Sequence, residues 1–172
     1  MPARSAARTT RWGINASSLY AAFGDKRSLF TAAVQHYLRG PASFTTVPLD
    51  EAPTARDAVE RLLRAAAAVY TGAGHPPGCL VISGATNCTP HSTDVQAELR
   101  AVRAQGRRAL EDRLSAGIRA HELPRDADAR ALAAFYSATL QGMSGLARDG
   151  ATQTELDNVV TIALAAWPAK DA

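Results

Sequence analysis

Cysteine and long apolar runs are both scarce in this sequence of 172 residues. Its only cysteines are Cys79 and Cys88, whose spacing matches neither a C-x-x-C redox motif nor a pair of zinc ligands. We therefore expect two reduced, mostly buried thiols, no metal and no cofactor. No apolar stretch approaches the roughly 20 residues that a membrane-spanning helix needs, and no secretory signal follows the first arginines. These absences predict a cytoplasmic protein that does not bind a membrane.

Catalytic signatures are also missing. The sequence has no nucleophile elbow, no H-E-x-x-H motif, no glycine-rich phosphate loop and no cluster of inward carboxylates. His91 is followed by Ser92 and lies near Asp94, an arrangement better explained as the start of a helix than as a catalytic group. We therefore expect a protein that is not an enzyme.

Acidic residues are almost absent from the first 40 positions. Asp25 is the only one, against six basic residues: Arg4, Arg8, Arg11, Lys26, Arg27 and Arg39. This segment therefore carries a net charge of +5, and the rest of the chain carries −2, because the whole chain carries +3. A basic segment suits the neutralisation of nucleic-acid phosphates, although many basic tails are simply solvated.

Alanine, the strongest helix former, is abundant, while runs of β-branched residues are scarce. We predict an all-α protein. Residues 1–40 are predicted to contain two short helices, at about 15–23 and 25–39, joined by a Gly-Asp turn. Residues 41–53 hold three prolines without apolar periodicity and are predicted to be a linker. Residues 54–172 are predicted to form a helical domain.

Caps and breakers divide this larger domain into five helices. The predicted helices begin at Thr54 and end near Gly72, run from Gly78 to Cys88, from Ser92 to about His121, from about Asp126 to Arg148 with interruptions at Gly142 and Gly145, and from the capping box of Thr152 and Glu155 to Pro168. The apolar second segment is predicted to be a short buried helix rather than a strand, because it has no strand to pair with. The arginines of the third helix are expected mostly on the face opposite its apolar stripe.

The block from Gly13 to Phe30 reads GINASSLYAAFGDKRSLF. It combines a turn glycine, a short polar helix with aromatic residues, a second glycine, a capping residue and a lysine. This block is similar to the recognition-helix block of the TetR family of transcription regulators. The resemblance implies a helix-turn-helix headpiece that binds double-stranded DNA, and a C-terminal domain that senses a small molecule and forms a homodimer.

The chemistry of the block agrees with that resemblance. Small and hydroxyl side chains on one side of the short helix would let its backbone approach base edges in a major groove. Lys26 and the free N–H groups at the start of the next helix would hold a phosphate. The predicted DNA contacts are Ala16, Ser17, Ser18, Tyr20, Ala21 and Lys26. Ile14, Leu19 and Phe23 are expected to anchor the opposite side, and the alternative is a helical hairpin with a solvated polar face.

The block also departs from the family pattern. A complete headpiece has three helices, whereas only Met1 to Trp12 precede Gly13. We therefore expect a helix-turn-helix remnant: either the start omits coding sequence, or the protein is a degenerate member. The predicted function is a TetR-like repressor released by a small-molecule ligand. The alternative is a ligand-binding and dimerisation module, derived from such a regulator, that no longer binds DNA.

The rest of the chain resembles the family's sensor domains around Gly78–Val81 and Leu140–Gly150. The resemblance implies that the last two helices pair with their copies in a homodimer, although ordinary packing within one chain is the alternative. A ligand pocket is predicted from the position of its residues among the long helices. The predicted pocket residues, each of which has a plain core role as its alternative, are Tyr70, Cys79, Asn87, Phe135, Tyr136, Thr139 and Met143.

Overall fold

The computed structural model describes residues 16–45, 47–86 and 93–169, and this part of the chain contains helices and no strand. The helices are α1 (Ala16–Phe23), α2 (Lys26–Arg39), α3 (Val47–Glu51), α4 (Ala55–Thr71), α5 (Leu80–Thr86), α6 (Thr93–Arg119), α7 (Ala129–Arg148) and α8 (Gln153–Ala165), with a 3-10 turn at Ser43–Thr45. The all-α prediction is confirmed. None of these described helices is long and apolar enough to cross a membrane.

The chain divides into two compact units, with the boundary between Gly40 and Pro41. The smaller unit contains α1 and α2, and the larger unit contains α3 to α8. Val34 and Tyr37 are the buried residues of α2. In the larger unit α4 packs against α3, α6, α7 and α8, so it lies at the centre of that unit.

The segment predicted to be a linker is folded. Phe44 and Leu49 are buried, and the 3-10 turn and α3 both pack against α4. The ring of Phe44 meets the ring of Tyr70 edge to face, with centroids 5.8 Å apart. Pro48 does not prevent the helix, because it lies in the first turn, where its missing N–H would have no helical partner. The prediction that residues 41–53 form a linker is therefore corrected. The burial of Phe44 and Leu49 against the larger unit stabilises this segment by more than its prolines destabilise it.

Two predicted capping residues, Thr54 and Thr152, set the starts of α4 and α8. The Thr54 side chain accepts a hydrogen bond from the Asp57 N–H at the start of α4. Thr152 and Glu155 form a complete capping box at the start of α8. Asp128 caps α7 by accepting from two backbone N–H groups, so α7 begins three residues later than the predicted Asp126.

The two glycines predicted to interrupt α7 do not interrupt it. Gly142 and Gly145 lie inside one continuous helix, and the intervening residues Met143 and Ser144 are buried. A glycine inside a helix costs only about 1 kcal/mol relative to alanine, which the packing on either side outweighs. The chain turns only at Gly150, whose φ of +98° favours glycine.

Helices α4 and α6 approach each other closely at Gly117. A methyl group at this position would lie 2.7 Å from the Cβ of Ala55 and 2.9 Å from the Cδ1 of Leu123. The Glu122 carboxylate accepts a hydrogen bond from the Ala55 backbone N–H and lies 3.6 Å from the Arg113 guanidinium. The start of α4 is therefore fixed against the end of α6 by sterics and by a hydrogen bond together.

We predict that Gly117→Ala lowers the free energy of unfolding by about 1–2 kcal/mol, because overpacking outweighs the better helix propensity of alanine. Urea or thermal unfolding measures the change. Gly106→Ala on the same helix is the control, since a methyl group there meets nothing within 4 Å. The control should raise the free energy of unfolding by about 1 kcal/mol. Stabilisation by both substitutions would contradict the close contact at Gly117.

Candidate functional sites

The turn between α1 and α2 is built by Gly24 and Asp25. Gly24 has a φ of +82°, which favours glycine. The Asp25 carboxylate accepts a hydrogen bond of 2.7 Å from the Ser28 backbone N–H. That hydrogen bond holds the pKa of Asp25 below its usual value. The carboxylate therefore caps α2 in its charged form, as the sequence predicts.

Five of the six predicted DNA contacts lie on α1, and the sixth, Lys26, is the first residue of α2. Ser18 and Ala21 are exposed and lie three residues apart, on the same face of the helix. Lys26 is also exposed. The side chains of Ala16, Ser17 and Tyr20 lie outside the described part of the structure. The DNA-contact role of all six residues stays a prediction.

The predicted anchors of α1 are less buried than expected. Phe23 is 41% exposed, and Leu19 is only partly buried. Ile14 lies outside the described residues. In the described part of the smaller unit, the apolar side of α1 is therefore not fully covered.

An open apolar groove lies between α7 and α8. Its volume is about 510 Å³, and its lining residues are Phe135, Thr139, Asn158, Val159, Ile162, Ala163 and Ala166. Ile162 is 75% exposed and Phe135 is 43% exposed. Large apolar side chains at this exposure on one surface are typical of an interaction site. The groove residues of α8 were not among the predicted site residues, although the apolar stripe of that helix is visible in the sequence.

The predicted pocket residues do not share one environment. Phe135 and Thr139 line the open groove. Tyr70, Cys79, Tyr136 and Met143 are buried in the larger unit. Asn87 lies outside the described residues. The structure thus separates the groove residues from the buried ones, and a pocket formed by all of these residues stays a prediction.

Cys79 is held against α7 through its backbone. Its N–H donates a hydrogen bond of 2.9 Å to the Ser144 Oγ, next to Met143. The preceding Gly78 has a φ of +84°, and a methyl group there would lie 2.8 Å from the Ser144 carbonyl oxygen. The loop before α5 therefore lies directly on α7. Within the described residues no group of three or more His, Cys, Asp or Glu side chains could hold a metal ion.

Tyr136 has a buried hydroxyl without a hydrogen-bond partner among the described residues. The side chain is fully buried, and its ring lies 5.1 Å from that of Phe135 and 6.1 Å from that of Trp167. Burial raises the pKa of the hydroxyl, and the positive charge of Arg56 lowers it to a smaller extent. The hydroxyl therefore stays protonated near neutral pH and can donate to a polar group that reaches it. The sequence did not single out Trp167 as its neighbour.

A family model and two transcriptional repressors are similar in sequence to this chain. Residues 55–162 match a family model described as the tetracyclin repressor-like C-terminal domain. The HTH-type transcriptional repressor ComR of Escherichia coli (strain K12) is 31% identical over 91% of this chain and 75% of its own length. The repressor BdcR of the same organism is 34% identical over 80% of this chain and 65% of its own length.

A solved structure is similar over almost the whole chain. It is a cysteine mutant of the TetR family transcriptional regulator CifR, complexed with a 26 bp double-strand operator DNA. The two proteins are 41% identical, with a TM-score of 0.89 over 96% of this chain and 87% of the other.

The isolated hydroxyl of Tyr136 has a measurable consequence. We predict that Tyr136→Phe leaves the free energy of unfolding unchanged or raises it by up to about 1–2 kcal/mol, because it removes a buried polar group that has no partner. Tyr136→Ala is the control and should lower it by about 3–5 kcal/mol, because it removes the ring. Chemical unfolding of the three proteins provides the comparison. A clear loss of stability in Tyr136→Phe would show that the hydroxyl is already satisfied.

The wild type and Tyr136→Phe should also differ in how their stability depends on alkaline pH. Because the folded-state pKa of Tyr136 lies above its ordinary value of 10.0, its contribution to stability is complete below pH 10 and is lost as the pH rises further. The wild type should therefore lose stability above pH 10 relative to Tyr136→Phe.

Proposed function

The chain belongs to the TetR family of transcriptional regulators, and from that premise we propose that it represses transcription by binding operator DNA as a homodimer and is released by a small-molecule effector. The observation that carries this proposal is the likeness, over 96% of the chain, to a family member that was solved on operator DNA. The cytoplasm, where DNA and effector are both accessible, is the proposed place of action. The proposal includes no catalytic activity.

The proposed DNA contacts lie on α1 and at the start of α2. Ser18 and Ala21 present a small, exposed surface that allows the helix backbone to approach base edges. Lys26 adds an exposed positive charge in the first turn of α2, beside the Asp25 cap, where the helix dipole also favours an anion. The cap by Asp25 supports this geometry, because it fixes where α2 begins.

The proposed dimer surface is the apolar groove between α7 and α8. Its exposed aromatic and aliphatic side chains gain most from being covered by the same surface of a second copy, as a two-fold symmetric dimer requires. Leu146 on α7 is a further exposed apolar residue, at 46%. Under this proposal Phe135 and Thr139 serve the dimer rather than the effector.

The proposed effector contact is Tyr136. Its unpartnered hydroxyl supports this role, because buried polar groups normally have a hydrogen-bond partner and a bound molecule would supply one. Met143, on the same helix, adds a buried and adaptable apolar side chain. A ligand that uses the hydroxyl would bind wild-type protein better than Tyr136→Phe.

DNA binding tests the headpiece directly. We predict that Lys26→Ala weakens binding to DNA from the protein's own promoter region by about tenfold, and reduces the dependence of log affinity on log salt by about 1 per headpiece, because one phosphate contact is lost. Fluorescence anisotropy at several salt concentrations measures both quantities. Arg39→Ala, an exposed change at the other end of α2, is the control and should alter neither.

Two outcomes would contradict this assignment. Equal losses in Lys26→Ala and Arg39→Ala would mean that only net charge attracts the DNA. Wild-type protein that binds promoter and unrelated DNA equally at near-physiological salt would favour the alternative, a ligand-binding module that does not read an operator.

Dimerisation depends on a different surface. We predict that Ile162→Arg raises the dimer dissociation constant at least about a hundredfold, because it places an unpaired charge in an apolar interface. Sedimentation velocity at micromolar concentration measures the shift from dimer to monomer. Thr161→Arg is the control, because Thr161 directly precedes Ile162 on α8 and is also exposed, but does not line the groove. A wild-type monomer, or an Ile162→Arg dimer of normal affinity, would refute this dimer surface.

A further inference from the structure

A second concave surface, separate from the apolar groove, lies between α6 and α7. Three arginines from one face of α6, namely Arg100, Arg103 and Arg107, form one wall of this cleft. Ser137 and Gln141 of α7 provide polar groups on the opposite wall. Its volume is about 230 Å³. The sequence predicted the arginines of this helix mostly on the face opposite its apolar stripe, and the structure places three of them at this cavity.

None of the described residues that line the cleft neutralises the positive charge of its arginines. The described part of its lining includes no carboxylate, and none of the three guanidinium groups forms an ion pair with a described residue. The acidic residues that flank them on α6, Glu98 and Glu111, lie outside the cleft lining. Like charges at a spacing of three and four residues on a helix repel one another. A bound anion would remove this repulsion.

One arginine is already oriented. The Arg103 guanidinium donates a hydrogen bond of 3.2 Å to the Val81 carbonyl oxygen of α5, and its side chain is partly buried. An arginine whose planar fork is held in place loses less side-chain entropy when it binds a carboxylate or phosphate through two parallel hydrogen bonds. Opposite it, the Gln141 side-chain amide is held by a hydrogen bond of 3.3 Å to the Ser137 carbonyl oxygen. Both walls of the cleft thus have a polar group held in position.

We propose that this cleft binds a small organic anion with two negative charges, a dicarboxylate or a phosphate monoester. The positive charge of three guanidinium groups suits an anion with two or more negative charges. The volume of the cleft lies below the roughly 300 Å³ at which pockets for drug-sized ligands begin, so the ligand is small. The site uses neither the DNA contacts nor Tyr136, so it does not depend on the proposed function. The anion bridges the two helices. Its charged groups bind the arginines of α6, and its remaining polar atoms contact Ser137 and Gln141 of α7.

Isothermal titration calorimetry on the full chain tests the site, with succinate and inorganic phosphate as probes at constant ionic strength. At least one probe should bind with a dissociation constant near or below about 1 mM. Dimethyl succinate, which has no charge, should not bind. Succinate as the tighter probe would identify a carboxylate ligand, and phosphate as the tighter probe would identify a phosphate ligand.

Substitutions locate the binding. Arg103→Gln and Arg100→Gln should each weaken it at least about tenfold, because each removes a charge-assisted hydrogen bond. Arg108→Gln should leave it unchanged, since Arg108 is exposed on the same helix but does not line the cleft. Arg100 makes no hydrogen bond to a described residue, so its variant keeps the test decisive if Arg103→Gln fails to fold. No binding by either probe at about 10 mM, or equal losses in all three variants, would overturn the proposal.

Discussion

The contact between Gly117 and Ala55 is the constraint on which the larger unit depends. It brings the end of α6 so close to the start of α4 that no side chain fits between them. Glu122 then accepts from the first N–H of α4, which has no partner within the helix. Helix α4 in turn packs against α3, α6, α7 and α8. A glycine and one carboxylate therefore hold the start of the helix that lies at the centre of the unit.

Local signals made the helices predictable. Asp25, Thr54 and the Thr152–Glu155 pair each cap a helix through residues at most three positions away, so their effect is encoded in short stretches of sequence. The wrong predictions fall where contacts between residues far apart in the sequence determine the structure. Phe44 and Leu49 fold residues 41–53 onto α4, and the buried neighbours of Gly142 keep α7 continuous. Periodicity over a few residues contains no information about such partners.

The candidate sites were less predictable than the fold, for a geometric reason. Phe135 and Tyr136 are adjacent in sequence, but neighbouring residues on a helix point about 100° apart, as follows from 3.6 residues per turn. One therefore lines the open groove and the other is buried, a distinction that position along the chain cannot make. The recognition-helix block was detectable because it is contiguous. The arginine cleft was not, since its second wall comes from α7.

Helix α7 presents three consecutive residues to three different environments: Phe135 to the groove, Tyr136 to the core and Ser137 to the cleft. A rigid helix cannot turn one of these faces without turning the other two. A molecule that favoured one orientation of α7 would therefore change the fit between two copies of the chain, and assembly would change the affinity for that molecule by the same factor. Because this one helix belongs to the core, the cleft and the groove at once, binding at one of these places would be thermodynamically coupled to binding at the others.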